Sequence, residues 1–243
     1  MQADETSYTD LLKTLKFYDV DHHLLIKSNE TVDEIFQRVL QQADERYTQE
    51  ILTRQQALQL FAYDVPKKVQ GGGFVCSRVK DEKKFDLLES VFKVEADSEQ
   101  ALILSRFIHL LYSLVNELQQ AIGCEWLGIY KNFAGCLFKL SYFGKYSRAD
   151  FPIDEEHAKS STNSRVALNG IIITWSDVSN ATTYYSCDTK VQSECCVPIF
   201  GEGNQNVIGI IDAEAHSSNF FTLEKQLMLI RACFLLRNIL NKH

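Results

Sequence analysis

The stretch Ser193-Glu194-Cys195-Cys196-Val197-Pro198-Ile199-Phe200, followed by Val207-Ile208-Gly209-Ile210-Ile211-Asp212-Ala213-Glu214, decides the fold. Both runs are rich in β-branched and apolar residues. Between them Gly201-Glu202-Gly203 supplies a turn, so the pair reads as an antiparallel hairpin. Side chains two apart on a strand share a face. Glu194 and Cys196 therefore point one way, Cys195 and Val197 the other, and Asp212 and Glu214 share a face on the second strand. Carboxylates in such apolar strands either reach solvent near the strand ends or line a cavity on that face.

Working outward, Glu125-Trp126-Leu127-Gly128-Ile129-Tyr130 and Cys136-Leu137-Phe138-Lys139-Leu140-Ser141-Tyr142 form a second hairpin with its turn at Asn132 to Gly135. Trp126 and Tyr130 share a face. Ile171 to Trp175 is a further strand, Ser176 to Ser186 a polar loop, and Glu155 to Leu168 a helix. A long helix begins near Asp97-Ser98, with Leu104, Phe107, Ile108, Leu111, Leu114, Val115, Leu118 and Ile122 at helical spacing. The chain ends in a helix capped by Thr222, with Leu223, Leu227, Ile230, Phe234 and Ile239 on one side.

Upstream, Thr31-Val32-Asp33-Glu34 has the form of a capping box opening an apolar stripe of Val32, Ile35, Phe36, Val39, Leu40, Ala43, Tyr47 and Ile51. The stripe continues through Leu58 and Phe61 until Pro66 stops it. Gly71-Gly72-Gly73 before Phe74-Val75-Cys76 reads as a turn into a short extended piece. It lacks the Lys-Ser/Thr pair of a phosphate loop. The whole predicts an α+β protein: an antiparallel sheet flanked by helices over 97–243, with a mainly helical N-terminal region over 1–96.

The net charge of −7, without a block of Lys or Arg, argues against nucleic acid and anionic membrane as partners. The acidic start is unlike a secretory signal, and Ala101 to Val115, interrupted by Arg106 and His109, is too short to span a bilayer. A cytoplasmic protein is expected. Seven cysteines lack paired C-x-x-C spacing. Cys76, Cys124, Cys136 and Cys233 sit among apolar neighbours and read as small core residues, as does Cys195. Cys187 and Cys196 stand beside carboxylates. His216 lies near them, but no ligand pattern accompanies it, so neither metal nor cofactor is expected.

From about Leu104 to Leu236 the chain resembles a GAF domain, and within that superfamily it is similar to the free methionine-R-sulfoxide reductases. The likeness rests on Trp126-Leu127-Gly128-Ile129-Tyr130, on Gly144-Lys145 before Pro152, and on Ser186-Cys187-Asp188. It also rests on Ser193-Glu194 and on Gly209-Ile210-Ile211-Asp212-Ala213-Glu214. The resemblance implies a pocket in which Trp126, Tyr130, Asp188, Glu194, Asp212 and Glu214 bind a free amino acid or its sulfoxide. Cys187 would be the attacking thiol. Two positions depart from the family: its other cysteines fall near Arg148 and near Asn163. Cys196 is then the candidate resolving thiol, unless thioredoxin or a small thiol does that work.

Three readings follow: a binding protein for methionine or its sulfoxide, an active reductase, and an interaction module with an idle pocket. The Cys-His pair of bilin-attaching GAF domains is absent, since Asp188 follows Cys187, and no cyclic-nucleotide signature is present. Terminal helices of isolated GAF domains often pair two copies. Here a homodimer through them competes with cover by the N-terminal helices.

Overall fold

The computed structural model describes residues 5–48, 59–67, 79–181 and 188–242. Cys187, Cys76, Ile51, Leu58 and the 71–73 turn lie outside them. Helix α1 (Glu5–Thr14) and helix α2 (His22–Thr48) come first, then the short strands β1 (Ala62–Tyr63) and β2 (Phe85–Asp86). Helix α3 (Glu99–Ile122) leads into β3 (Trp126–Phe133), β4 (Cys136–Phe143) and β5 (Asp150–Pro152). Helices α4 (Glu155–Ala158) and α5 (Thr162–Asn169) precede β6 (Ile173–Trp175), β7 (Ser193–Phe200), β8 (Val207–Ala215) and helix α6 (Leu223–Leu240).

Six strands form one antiparallel sheet in the order β5-β4-β3-β8-β7-β6. The β3–β4 loop has two residues, Ala134 (φ 51°) and Gly135 (φ 86°), the left-handed geometry that suits a tight hairpin. Alternation sorts the two faces. Leu127, Ile129, Cys195, Val197, Ile199, Ile211 and Ala213 join the large core under α3 and α6, whereas Trp126, Tyr130, Cys196 and Ile210 join a smaller cluster on the other side.

Ser98 caps α3 by accepting a hydrogen bond from the Ala101 amide at 3.1 Å, and the expected stripe from Leu104 to Ile122 is buried throughout. This helix is long and apolar enough to cross a membrane by composition, a property also found in core helices. Its buried stripe belongs to the sheet's core.

The first half departs from the sequence expectation in two ways. Helix α2 starts nine residues before Thr31, with the Asp21 carboxylate accepting from the Leu24 amide at 2.9 Å. Thr31 is mid-helix, its hydroxyl donating back to the Lys27 carbonyl at 2.9 Å, so the Thr-x-x-Glu pattern is not a start signal here. Past Phe61 the chain is extended as β1 rather than helical, which places Tyr63 against the main domain. Val32, Ile35, Phe36, Val39 and Ala43 are buried as expected.

Helix α2 packs on both α3 and α6. Consequently α6 is buried around nearly its whole girth between β7 and the N-terminal helices, while Leu223, expected on its inner side, is exposed. The expected single helix over 155–168 is broken at 159–161. Asp154 accepts from the His157 amide to cap α4, and Ser161 accepts from the Ser164 amide to cap α5.

Candidate ligand pocket

The register across the sheet builds the site. Trp126 of β3 is opposite Glu214 of β8, which is opposite Glu194 of β7, which is opposite Trp175 of β6. One rung on, Gly128, Asp212, Cys196 and Ile173 form a second row. A carboxylate thus stands at adjacent rungs of adjacent strands, flanked by an indole. Gly128 lets this happen: a side chain there would run into the Trp126 ring, which lies over it.

Above these rows, residues 147–151 and 160–163 close a cavity of about 60 Å³. Its wall is Trp126, Tyr130 and Phe151 on the aromatic side, and Glu194, Asp212 and Glu214 on the acidic side. Arg148, which lies 4.6 Å over the Phe151 ring, and Thr162 and Asn163 at the start of α5 complete it. Five of the residues singled out in the sequence therefore converge: Trp126, Tyr130, Glu194, Asp212 and Glu214.

Glu194 and Asp212 are 3% and 4% exposed, values that demand compensation for any charge they carry. Asn163 donates from Nδ2 to Asp212 Oδ2 at 3.2 Å, and its Oδ1 accepts from Cys196 Sγ at 3.5 Å. Thr162 Oγ1 is 3.5 Å from Glu194 Oε2 and accepts from Trp175 Nε1 at 3.2 Å. Asp212 Oδ1 is buried with no hydrogen-bond partner among the described residues when both carboxyls are ionised. One proton held between Asp212 and Glu194, or a donor on a ligand, satisfies it. Burial pushes the Asp212 carboxyl up to about 7, against the opposing pull of Asn163, Glu194 and Lys139.

Among the described residues, the other two expected ones, Cys196 and Asp188, lie outside this wall. Cys196 is fully buried and absent from the cavity wall; burial and the nearby carboxylates hold its thiol well above the usual range. Burial likewise raises Cys195 and Cys124 to about 12 and Cys136 to about 11, so each of these thiols is protonated at neutral pH. Asp188 accepts from the Lys190 amide at 3.2 Å and lies 4.0 Å from His216 Nε2, outside the wall. No group of three or more His, Cys, Asp or Glu among the described residues is placed to hold a metal ion.

Asn163, near which the resembled family carries a cysteine, bridges Asp212 and Cys196. Ser161-Thr162-Asn163 carries a helix-start signature, which marks its place in the sequence. Lys139, fully buried behind Trp126, is not legible in the sequence, because a lysine in a strand ordinarily faces water.

A six-stranded antiparallel sheet with helices on one face and a pocket on the other is the GAF-type fold, an α+β architecture. No protein-family model matches the sequence, and a search of curated proteins returns no match. Among solved structures the chain is similar to the type II free methionine-R-sulfoxide reductase of Thermoplasma acidophilum. That match has 21% identity and a TM-score of 0.51, over 56% of this chain and 93% of that one. It is also similar to a GAF domain region from Geobacter sulfurreducens, at 16% identity and TM-score 0.51, over 60% of this chain and 100% of that one.

Proposed function

We propose that the chain binds a free amino acid of the methionine or methionine-sulfoxide kind in this pocket. The observation that carries the reading is the convergence of three carboxylates, two of them buried, on a cavity with an aromatic wall. An ammonium group supplies the charge and the N–H donors that Asp212 and its neighbours need. Arg148 lines the same cavity and suits the ligand's carboxylate, while Trp126, Tyr130 and Phe151 offer ring edges and faces to a sulfur-containing side chain.

A second reading is an active reductase. The observation favouring it is Asp212, whose carboxyl titrates near 7 and is therefore poised to give a proton to a sulfoxide oxygen. Attack on sulfur would fall to Cys187. The sulfoxide oxygen would pass to Cys187 as a sulfenic acid, leaving methionine, and water would be released only when a second thiol condenses with that sulfenic acid to a disulfide. Cys196 is ill suited to resolve it, its thiol being held protonated and bonded to Asn163, so thioredoxin or a small thiol would be the reductant.

Calorimetric titration with L-methionine and L-methionine-R-sulfoxide, alongside turnover with a dithiol donor, separates the readings. Binding without turnover is expected, and Glu194→Gln should weaken it by roughly tenfold through loss of a charge-assisted bond. Sustained turnover that Cys187→Ser abolishes would establish the reductase instead. Absence of heat with both ligands would leave an interaction module.

A further inference from the structure

Lys139 of β4 does not line the cavity, and it is fully buried. A buried ammonium is costly unless its surroundings compensate it. Its Nζ donates to the Ser147 carbonyl at 3.0 Å and to Ser147 Oγ at 2.8 Å. It also lies 4.0 Å from the centre of the Tyr142 ring, 5.0 Å from that of Tyr63 and 5.9 Å from that of Trp126. A shift in register between β3 and β4 puts Tyr142 opposite Gly128 and Lys139 opposite Tyr130. Lys139 and Tyr142, three residues apart, therefore come to the same side.

Two members of this cage, Trp126 and Ser147, are also parts of the cavity wall. Tyr142 stacks on Trp126 at an interplanar angle of 24°. The remaining side comes from outside the sheet: Tyr63 of β1 donates its hydroxyl to the Lys139 carbonyl at 2.6 Å and rests against Tyr142 and, in β2, Phe85. An unbroken line of contacts thus runs from the N-terminal strands through Tyr63 and Lys139 to the pocket.

We propose that Lys139 is a positioning residue of the pocket, and that through Tyr63 the β1–β2 segment is a working part of ligand recognition. The ligand's identity rests on the function proposed above; the coupling does not. The groups around Asp212 are Glu194 and Cys196 from β7, Glu214 from β8, Arg148 from the cavity rim, and Lys139 from β4. The thiols of Cys195 and Cys124 also feel its charge. Around Lys139 stand the phenols of Tyr63 and Tyr142, which in turn feel Tyr112 of α3, Asp64 and Asp150. Lys139 and Arg148 are the cations of this set, so removing Lys139 must make Asp212 harder to ionise.

The test uses the full chain without ligand. In Lys139→Met, carbon-detected NMR titration of the Asp212 carboxyl should show its midpoint raised by roughly one pH unit. A lysine that only supports the fold would lower thermal stability and leave that midpoint alone. In Tyr63→Phe, hydrogen exchange of the Lys139 amide, which donates to the Ala149 carbonyl at 2.8 Å, should quicken roughly fivefold for the lost hydrogen bond to the Lys139 carbonyl. L-Methionine added to either variant should then bind more weakly than to the unaltered chain. An unmoved Asp212 midpoint in folded Lys139→Met, or unchanged exchange in Tyr63→Phe, would overturn the coupling. Should Lys139→Met fail to fold, the exchange measurement on Tyr63→Phe decides alone. If the unaltered chain shows no heat with L-methionine while midpoint and exchange shift as stated, the ligand reading fails and the coupling stands.

Discussion

At the scale of single residues, Asp212 has the most to reveal. Its acid form is favoured in the fold, with a carboxyl lifted from the ordinary 3.8 to about 7 by burial. A raised carboxyl contributes stability that is complete below the unfolded value and is lost as pH rises through the folded one. Asp212→Asn cannot ionise and keeps an oxygen for Asn163. It should therefore gain on the unaltered chain between pH 5 and pH 8, by on the order of 2 kcal/mol in denaturant unfolding. A difference that stays flat across that range would refute the buried, protonated state. The carboxylates themselves were legible, because a two-residue period forces Asp212 and Glu214 onto one side and register then pairs them with Cys196 and Glu194. Lys139 and Asn163 were not. The first depends on a register shift and on a tyrosine 76 positions away, and the second on where a short helix sets down.

At the scale of elements, α5 matters more than its eight residues suggest, since its first turn carries Thr162 and Asn163 into the site. Ser161 holds that turn with a real cap, at 3.2 Å from the Ser164 amide, whereas Thr222 at the start of α6 makes no side-chain cap bond. Ser161→Ala should thus cost about 1 kcal/mol and weaken ligand binding as Asn163 loosens, while Thr222→Ala should stay within about 0.5 kcal/mol. Chemical denaturation of the two variants checks the contrast; equal losses would contradict it. The same logic explains which elements could be read in advance. Strands and helices with strong periods, such as β7, β8 and α3, announced themselves. The break between α4 and α5 and the three-residue β5 did not: the first is a local competition between capping serines, and the second depends on pairing with β4.

At the scale of the whole molecule, the open matter is whether the N-terminal helices are an appendage or part of one cooperative unit. The apolar core runs without interruption from Tyr8, Leu11 and Val32 into Leu111, Ile230 and Phe234. Within it sits Arg231 of α6, 1% exposed, whose Nε and Nη2 each donate to the Asp33 carboxylate of α2 at 2.7 Å. Its guanidinium also lies 4.6 Å from the centre of the Tyr8 ring. The sequence reads Asp33 as part of a capping box at the start of a helix, whereas α2 begins at His22 and Asp33 lies within it, paired with Arg231 of α6. Asp33→Ala leaves that buried cation without its carboxylate. Since Asp33 keeps some contact with water, the loss should be about 2 kcal/mol, below the roughly 3–5 kcal/mol that breaking a fully buried pair costs. Lys27 and Glu224 also join α2 to α6, at 2.7 Å, but in the open, so Lys27→Ala should change stability by less than about 0.5 kcal/mol. Because the two regions share one core, Asp33→Ala should move a single unfolding transition to lower denaturant rather than split it. Two separate transitions, with tryptophan fluorescence from Trp126 and Trp175 lagging behind loss of helical signal, would instead show that residues 97–243 hold together without the helices before them.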